Sequence, residues 1–277
     1  MKLNKIFNIK DKVIVITGAS GLIGSSIAKT FIENGSIVIF IDKDISQKEK
    51  VISDIDLIEK EASKSAFFYE LDLVNEDECI NTIDEIQKEF HKIDVLINAA
   101  AIDSKFDKSE KAKINNQSFE NFPTELIQES IAVNQVGLIN ITKAVCKKML
   151  NQKSGNIINV ASTYSLVSPN HNLYDFGDSD ISIKPIDYVA SKSFIPNFTR
   201  YIATFYAKKG IRCNTIVPHG IIENPKKEFK ENWSRISPIG RLCSLDELNG
   251  PFIFLVSDAS SYVNGATIVI DGGWTAW

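Results

Sequence analysis

The sequence predicts an α/β fold: a doubly wound, mostly parallel sheet of about seven strands with helices on both faces. Three observations predict it. Short β-branched runs alternate with longer helix-period segments along almost all of the 277 residues. Several of these runs are apolar at nearly every position, as strands covered on both faces require. The first run passes directly into a glycine-rich turn and then a helix, the opening of a βαβ unit.

Lys12–Thr17 (KVIVIT) is the first expected strand, and the turn Thr17–Gly24 leads it into a helix over Leu22–Asn34. Glycines at 18, 21 and 24 permit a tight turn, close backbone approach to a pyrophosphate and close helix–strand packing. The helix N-terminus adds free N–H groups and partial positive charge for phosphates. The second strand, Ser36–Ile41, ends at Asp42, about twenty residues after the glycine turn. A carboxylate there can accept both adenosine-ribose hydroxyls of NAD and repels the extra phosphate of NADP. At an effective dielectric near 20, two unit charges ~4 Å apart repel by about 4 kcal/mol. Lys43 beside it softens this by only about 0–1 kcal/mol as an exposed pair. NAD is therefore the expected cofactor.

The third strand, Ala66–Leu71, is followed by Asp72, a candidate for the adenine amino group, and by a helix over Glu76–Phe90. The fourth, Ile93–Ile97, delivers Asn98 to the cofactor. A polar loop over 103–123, with Lys105, Lys108, Lys111 and Lys113, precedes a long helix over Glu125–Leu150 that holds Asn134. The fifth strand, Gly155–Val160, runs out to Ser162. A second long loop over 165–185 carries His171, Tyr174, Asp175, Asp178 and Asp180. Both loops leave the carboxyl ends of strands, the ligand side of open α/β sheets. A helix over Asp187–Lys209, a strand Ile211–Val217, a helix Leu245–Ser257 and a strand Ala266–Ile270 complete the pattern. With no internal repeat, low-complexity tract or Pro/Gly-rich linker, residues 1–277 read as one domain with two substrate loops.

Hydrophobic content of 44% and charged content of 24% fit a protein with a large buried core. A net charge of −4 excludes the basic field of a nucleic-acid surface. Met1–Lys12 lacks the apolar run of a signal peptide, and no later stretch reaches the length of a membrane span. Cys79, Cys146, Cys213 and Cys243 lack metal-type spacing, so no metal site is expected and they read as buried thiols in a reducing cytoplasm.

Tyr188-Val189-Ala190-Ser191-Lys192 opens a helical pattern, and the spacing of four puts Tyr188 and Lys192 on one face. A tyrosine with an unperturbed pKa of about 10 is a poor base at neutral pH, and lowering it by roughly three units takes about 4 kcal/mol. A neighbouring Lys⁺ and a positive nicotinamide can supply that. Ser162 can donate a hydrogen bond to the substrate oxygen as charge develops, and Asn134 can position water and Lys192 for a proton relay.

Thr17–Gly24, Asp42, Asp72, Asn98, Asn134, Ser162, Tyr188–Lys192, Asn214–Gly220 and Asp271-Gly272-Gly273 resemble, in order, the short-chain dehydrogenase/reductase family over essentially the whole chain. The resemblance implies a Rossmann-type fold and hydride transfer between nicotinamide C4 and an alcohol-bearing carbon. It implies Tyr188 as general acid/base, Ser162 polarising the carbonyl, Lys192 lowering the Tyr pKa and holding the nicotinamide ribose, and Asn134 completing the relay. Cofactor contacts implied are Gly18, Ser20, Gly21, Leu22, Ile23, Gly24, Asp42, Asp72, Leu73, Asn98, Ala99, Ala100, Tyr188, Lys192, Pro218, Gly220 and Ile221. A homotetramer or homodimer is also implied.

Four departures stand out. Leu22 takes the place of the family's usual middle glycine, Ala99 and Ala100 replace part of its Asn-Asn-Ala-Gly run, and His219 replaces a frequent glycine. Ser162 and Tyr188 also lie about twice as far apart as is usual in the family. The insert after Ser162 and the ending Asp271–Trp277 are similar to a bacterial sugar-modifying branch that includes flagellin-modification and gluconate 5-dehydrogenase-type enzymes. The substrate expected is a polar sugar, sugar phosphate or sugar acid. The loop lysines can meet an anionic group, and His171, Tyr174 and the aspartates can read hydroxyls. Alternatives are a 3-oxoacyl-thioester reductase using NAD(P)H, a sugar-nucleotide epimerase or dehydratase, and a non-catalytic cofactor-sensing protein. Asp42, the short chain after Tyr188 and the intact tetrad argue against them in turn. Trp274 and Trp277 are expected to be buried at a subunit contact.

Overall fold

The computed structural model describes residues 2–57, 62–104, 118–174 and 183–277. Among them, seven strands form one parallel sheet: β1 Val13–Thr17, β2 Ile37–Asp42, β3 Ala66–Glu70, β4 Val95–Asn98, β5 Gly155–Val160, β6 Ile211–Pro218 and β7 Thr267–Ile270. Each is an expected strand, its ends shifted by about one or two residues. The spatial order is β3-β2-β1-β4-β5-β6-β7. The order reverses between β1 and β4, where Thr17 pairs with Asn98. That reversal opens the crevice in which doubly wound sheets bind ligands.

Side-chain alternation along the strands feeds two cores. Ile14, Ile16, Val38, Phe40, Val95 and Ile97 pack on one face, and Val13, Val15, Ile39, Ile41 and Leu96 on the other. The first face is covered by α2 Leu22–Glu33, through Ile27 and Phe31, and by α10 Asn249–Val256, through Phe252 and Leu255. The second is covered by α4 Glu76–Phe90, α6 Leu138–Gln152 and α8 Ile195–Tyr206. Because both faces are dry, burying each large aliphatic contributes about 1.5–3 kcal/mol wherever it falls in the alternation.

The remaining helices are α1 Leu3–Ile6, α3 Lys48–Asp56, α5 Thr124–Ile131, α7 Ile186–Ser193 and α9 Lys227–Ile236. Two expected helices are interrupted. The one over Glu125–Leu150 contains a π-helical turn at Ala132–Gly137 between α5 and α6. The one over Asp187–Lys209 breaks at Phe194, between α7 and α8. Pro196 explains the break, since it offers no N–H to the carbonyl four residues back and its ring crowds that turn. Helices α3 and α9 were not expected.

Cys79, Cys146 and Cys213 are buried, and Cys243 is partly so. At the tail, the structure corrects the expectation for Trp274 alone, which needs no subunit contact to leave water. Trp274 is buried by its own chain, stacked on Trp233 with ring centres 5.1 Å apart. Trp277 is 85% exposed.

Candidate active site

The turn after β1 is built for close backbone contact. Gly18 has φ +65°, and a Cβ there would lie 2.5 Å from Ala100 Cα. A Cβ on Gly24 would lie 2.3 Å from the Gly18 carbonyl oxygen. Only glycine lets the turn, the start of α2 and the segment after β4 pack this tightly. Gly21 caps α2 with no side-chain acceptor. The N–H groups of Leu22, Ile23 and Gly24 therefore open the helix without intrahelical partners. This cradle can hold the phosphates of a dinucleotide.

Asp42 closes β2, and its Oδ2 accepts the Ser20 N–H at 2.9 Å, tying the carboxylate to the glycine turn. Lys43 turns to Asp72 instead, with Nζ 2.7 Å from Oδ2. That contact holds the Asp72 carboxyl below its ordinary range and raises the Lys43 ammonium. The Val74 N–H also donates to Asp72. Leu73 is buried, and its carbonyl accepts from Asn140. Asn98 is 2% exposed and spends its amide on Thr142 (3.0 Å) and Asn159 (2.8 Å), joining β4 to α6 and β5. Its Oδ1 has no partner. The Ala100 N–H donates to Thr17 Oγ1.

A cavity of about 500 Å³ opens beside this crevice. Ile23, Ala99, Pro218, Gly220 and Ile221 line it, as do Ser162, Tyr188 and Lys192. The start of α7 is fixed by buried Asp187, which accepts the Ser104 hydroxyl at 3.0 Å and the Ser130 hydroxyl at 2.6 Å. One turn on, α7 presents Tyr188 and Lys192 together. Lys192 Nζ donates to the Val160 carbonyl at 2.9 Å and lies 5.8 Å from the Tyr188 ring centre. Ser162, just past β5, accepts the Tyr164 N–H and lines the same cavity wall as Tyr188.

Asn134 lies in the π turn. Its Oδ1 accepts from the Ile102 N–H at 2.8 Å, and its Nδ2 donates to the Ile102 carbonyl and to Ser191 Oγ. It thus ties the segment after β4 to the helix that carries Lys192, and its own amide is fully used. π turns of this kind recur at functional sites.

The electrostatics differ from expectation. Burial and the nearby Asp103 carboxylate hold the Tyr188 phenol above its ordinary pKa, against a lowering by Ser162. Lys192 is itself pulled down to about 8 by burial. Its ammonium is drawn to the Val160 carbonyl rather than to the phenol oxygen, so in the protein alone it does not offset burial.

Two groups at the cavity, Lys184 and Asp103, were not singled out by the sequence. Lys184 pairs with Asp103, and its Nζ lies 4.0 Å from the Tyr188 ring centre. His219 Nδ1 lies 2.5 Å from Thr163 Oγ1, and its ring packs on Trp233 and Trp274. Its Nε2 is buried without a partner, and burial lowers its pKa to about 4. Tyr174 is buried, with its hydroxyl 3.1 Å from that of Tyr164. His171 is exposed. Lys105, Lys108, Lys111, Lys113, Asp175, Asp178 and Asp180 lie outside the described residues. Departure from the family glycine was the one sequence signal for His219. Lys184 and Asp103 gave none beyond their place in the two loops.

A family model described as enoyl-(acyl carrier protein) reductase matches residues 18–275. An NAD-dependent glycerol dehydrogenase of Listeria innocua is 29% identical, covering 98% of this chain and 97% of its own. Post-translational flagellin modification protein A of Campylobacter coli is 27% identical, covering 96% and 99%. A short-chain dehydrogenase from Leptospira borgpetersenii, solved with bound NAD⁺, superposes with a TM-score of 0.82 at 27% identity, over 99% of this chain and 97% of that one. A gluconate 5-dehydrogenase from Burkholderia cenocepacia, solved with NADP and tartrate, has the same fold, with a TM-score of 0.82, 24% identity and full coverage of both chains.

Proposed function

Because this chain belongs to the short-chain dehydrogenase/reductase family, we propose that it interconverts a secondary alcohol and a ketone on a polyhydroxylated small molecule, using NAD(H). The observation that carries this reading is the convergence of Ser162, Tyr188 and Lys192 on one cavity wall, with Lys192 Nζ 5.8 Å from the phenol ring centre. The substrate hydroxyl sits between Ser162 and Tyr188. Tyr188 Oη takes its proton as the C–H electron pair leaves and the C=O bond forms. A nicotinamide, when bound, accepts that hydride. Ser162 donates to the substrate oxygen as charge develops on it. Lys192⁺ stabilises the phenolate, and a pKa of about 8 lets it exchange protons near neutrality. Asn134 keeps the segment after β4 and the Lys192 helix in register.

Gly18, Gly21 and Gly24, with the open N–H groups of Leu22 and Ile23, take the pyrophosphate, and Asp42 takes the adenosine ribose. Two features support NAD over NADP: Asp42 ends β2, and the neighbouring Lys43 is engaged by Asp72 rather than neutralising Asp42. Asp103 and Lys184 set two polar groups into an otherwise mainly apolar cavity, and they favour a hydroxylated substrate, a sugar or sugar derivative, over a plain acyl chain. Residues 1–277 act as one catalytic domain, assembled as a homotetramer or homodimer in the cytoplasm.

Calorimetric titration with NAD and NADP tests the cofactor, and a screen of polyols, sugars, sugar phosphates and sugar acids tests the substrate. NAD should bind at least tenfold tighter, about 1.4 kcal/mol. Tighter NADP binding with turnover of acyl thioesters alone would overturn the reading.

A further inference from the structure

The cavity holds a buried ion pair that the proposed chemistry does not use. Lys184, just before α7, reaches Asp103, just after β4, across 81 residues of sequence. Their side chains are only 6% and 13% exposed. Among the described residues, the other charged side chains lining the cavity are Lys192, at the reacting centre, and Glu223 and Lys226, which are exposed. Stripping two charges of water is costly, and apolar replacements of such pairs are often no less stable. A pair of this kind on a cavity wall therefore marks a place where a ligand is read.

Its location fixes what it reads. Lys184 Nζ lies 4.0 Å from the centre of the Tyr188 ring and 6.0 Å from that of Tyr164. It therefore stands beside the phenol on the same cavity, within reach of a substrate group next to the carbon whose oxygen would meet Tyr188. The chemistry of the pair narrows the ligand further. A hydroxyl can accept from an ammonium N–H and donate to a carboxylate oxygen in a single contact. A carboxylate or phosphate seated against Lys184 would instead face the negative charge of Asp103 at close range. Each charge cancels the other, so the subsite suits a neutral group.

We propose that the Asp103–Lys184 pair is a substrate subsite that reads an uncharged hydroxyl on the carbon adjacent to the one oxidised. The substrate class is thereby narrowed to neutral polyols and sugars, with no acid or phosphate at that position. The inference rests on Tyr188 as the reacting group, and the two are tested by different readouts.

Binding is measured calorimetrically on the full chain with NAD present, using four-carbon probes: threitol, butane-2,3-diol, butan-2-ol and threonate. The protein as it stands should bind butane-2,3-diol at least tenfold tighter than butan-2-ol, and threitol at least tenfold tighter than threonate. In Asp103→Leu/Lys184→Met, the preference for diol over mono-alcohol should fall below threefold. In Asp103→Asn, which keeps a polar group and leaves Lys184 unopposed, the threonate-to-threitol affinity ratio should rise at least fivefold. Tighter binding of threonate than threitol by the unaltered protein would overturn the proposal. So would a diol preference that survives Asp103→Leu/Lys184→Met, or an unchanged ratio in Asp103→Asn. Loss of turnover in Tyr188→Phe reads on the reacting group, whereas the diol and threonate affinity ratios of the unaltered protein read on the pair.

Discussion

His219→Gln should flatten the acid limb of the stability curve. His219 is 8% exposed, packed against Trp233 and Trp274, with Thr163 at Nδ1 and no partner at Nε2. Burial lowers its pKa from 6.5 to about 4, while Asp271 pulls weakly the other way. The folded state thus binds its proton less readily than the unfolded state. The stabilisation from a neutral His219 is complete above pH 6.5 and drains away as pH falls through about 4. At 1.36 kcal/mol per pKa unit, the full loss is about 3 kcal/mol, and most of it is gone by about pH 4.5. A glutamine side chain does not titrate, so that part of the slope should vanish in the variant. Urea unfolding of both proteins at several pH values between about 7.5 and 4.5 measures it. Carboxylates titrate in both proteins and cancel in the difference. The stability gap between them should shrink by about 2–3 kcal/mol over that range. A gap that stays constant would mean that His219 is already accessible to protons, and the buried Thr163–His219 contact would be wrong.

Three other outcomes follow from the same geometry. Gly18→Ala places a methyl 2.5 Å from Ala100 Cα at a positive φ; dinucleotide affinity by calorimetry should drop at least tenfold, and wild-type affinity would refute the cradle. Asp42→Ala removes the carboxylate and the acceptor of the Ser20 N–H. The ratio of NADP to NAD affinity should rise at least tenfold, about 1.4 kcal/mol, and an unchanged ratio would remove Asp42 from cofactor selection. Trp274→Ala opens the stack on Trp233 and His219 and should cost about 3–5 kcal/mol in urea unfolding, independent of protein concentration. A loss that grows on dilution would return Trp274 to a subunit contact.

The sheet was legible because its strands are short β-branched runs, such as Lys12–Thr17, that read as strands wherever they lie. The glycine turn and the spacing of four between Tyr188 and Lys192 were legible because local geometry fixes them. The break at Phe194 was visible in Pro196 but was outweighed by the helical periodicity around it. Helix α9 was readable too, since Phe229, Trp233 and Ile236 recur at helical intervals among charged residues. The π turn was not, because one extra residue per turn barely disturbs an apolar period. Long-range partners were the least legible. Nothing local tells Lys43 to take Asp72, Lys184 to reach Asp103, or His219 to find Thr163. The raised pKa of the Tyr188 phenol was hidden for the same reason, since it depends on burial and on Asp103.

The most direct test is NADH formation from a panel of polyols and sugars by the wild-type protein and by Tyr188→Phe, with NAD affinity measured on both. NAD affinity should change far less than turnover, and turnover on the best substrate should fall by roughly 10²–10⁴, the usual worth of a general acid/base. Turnover by Tyr188→Phe within tenfold of wild type, or no oxidation of any alcohol by the wild-type protein, would contradict the assignment of the chemistry to this site.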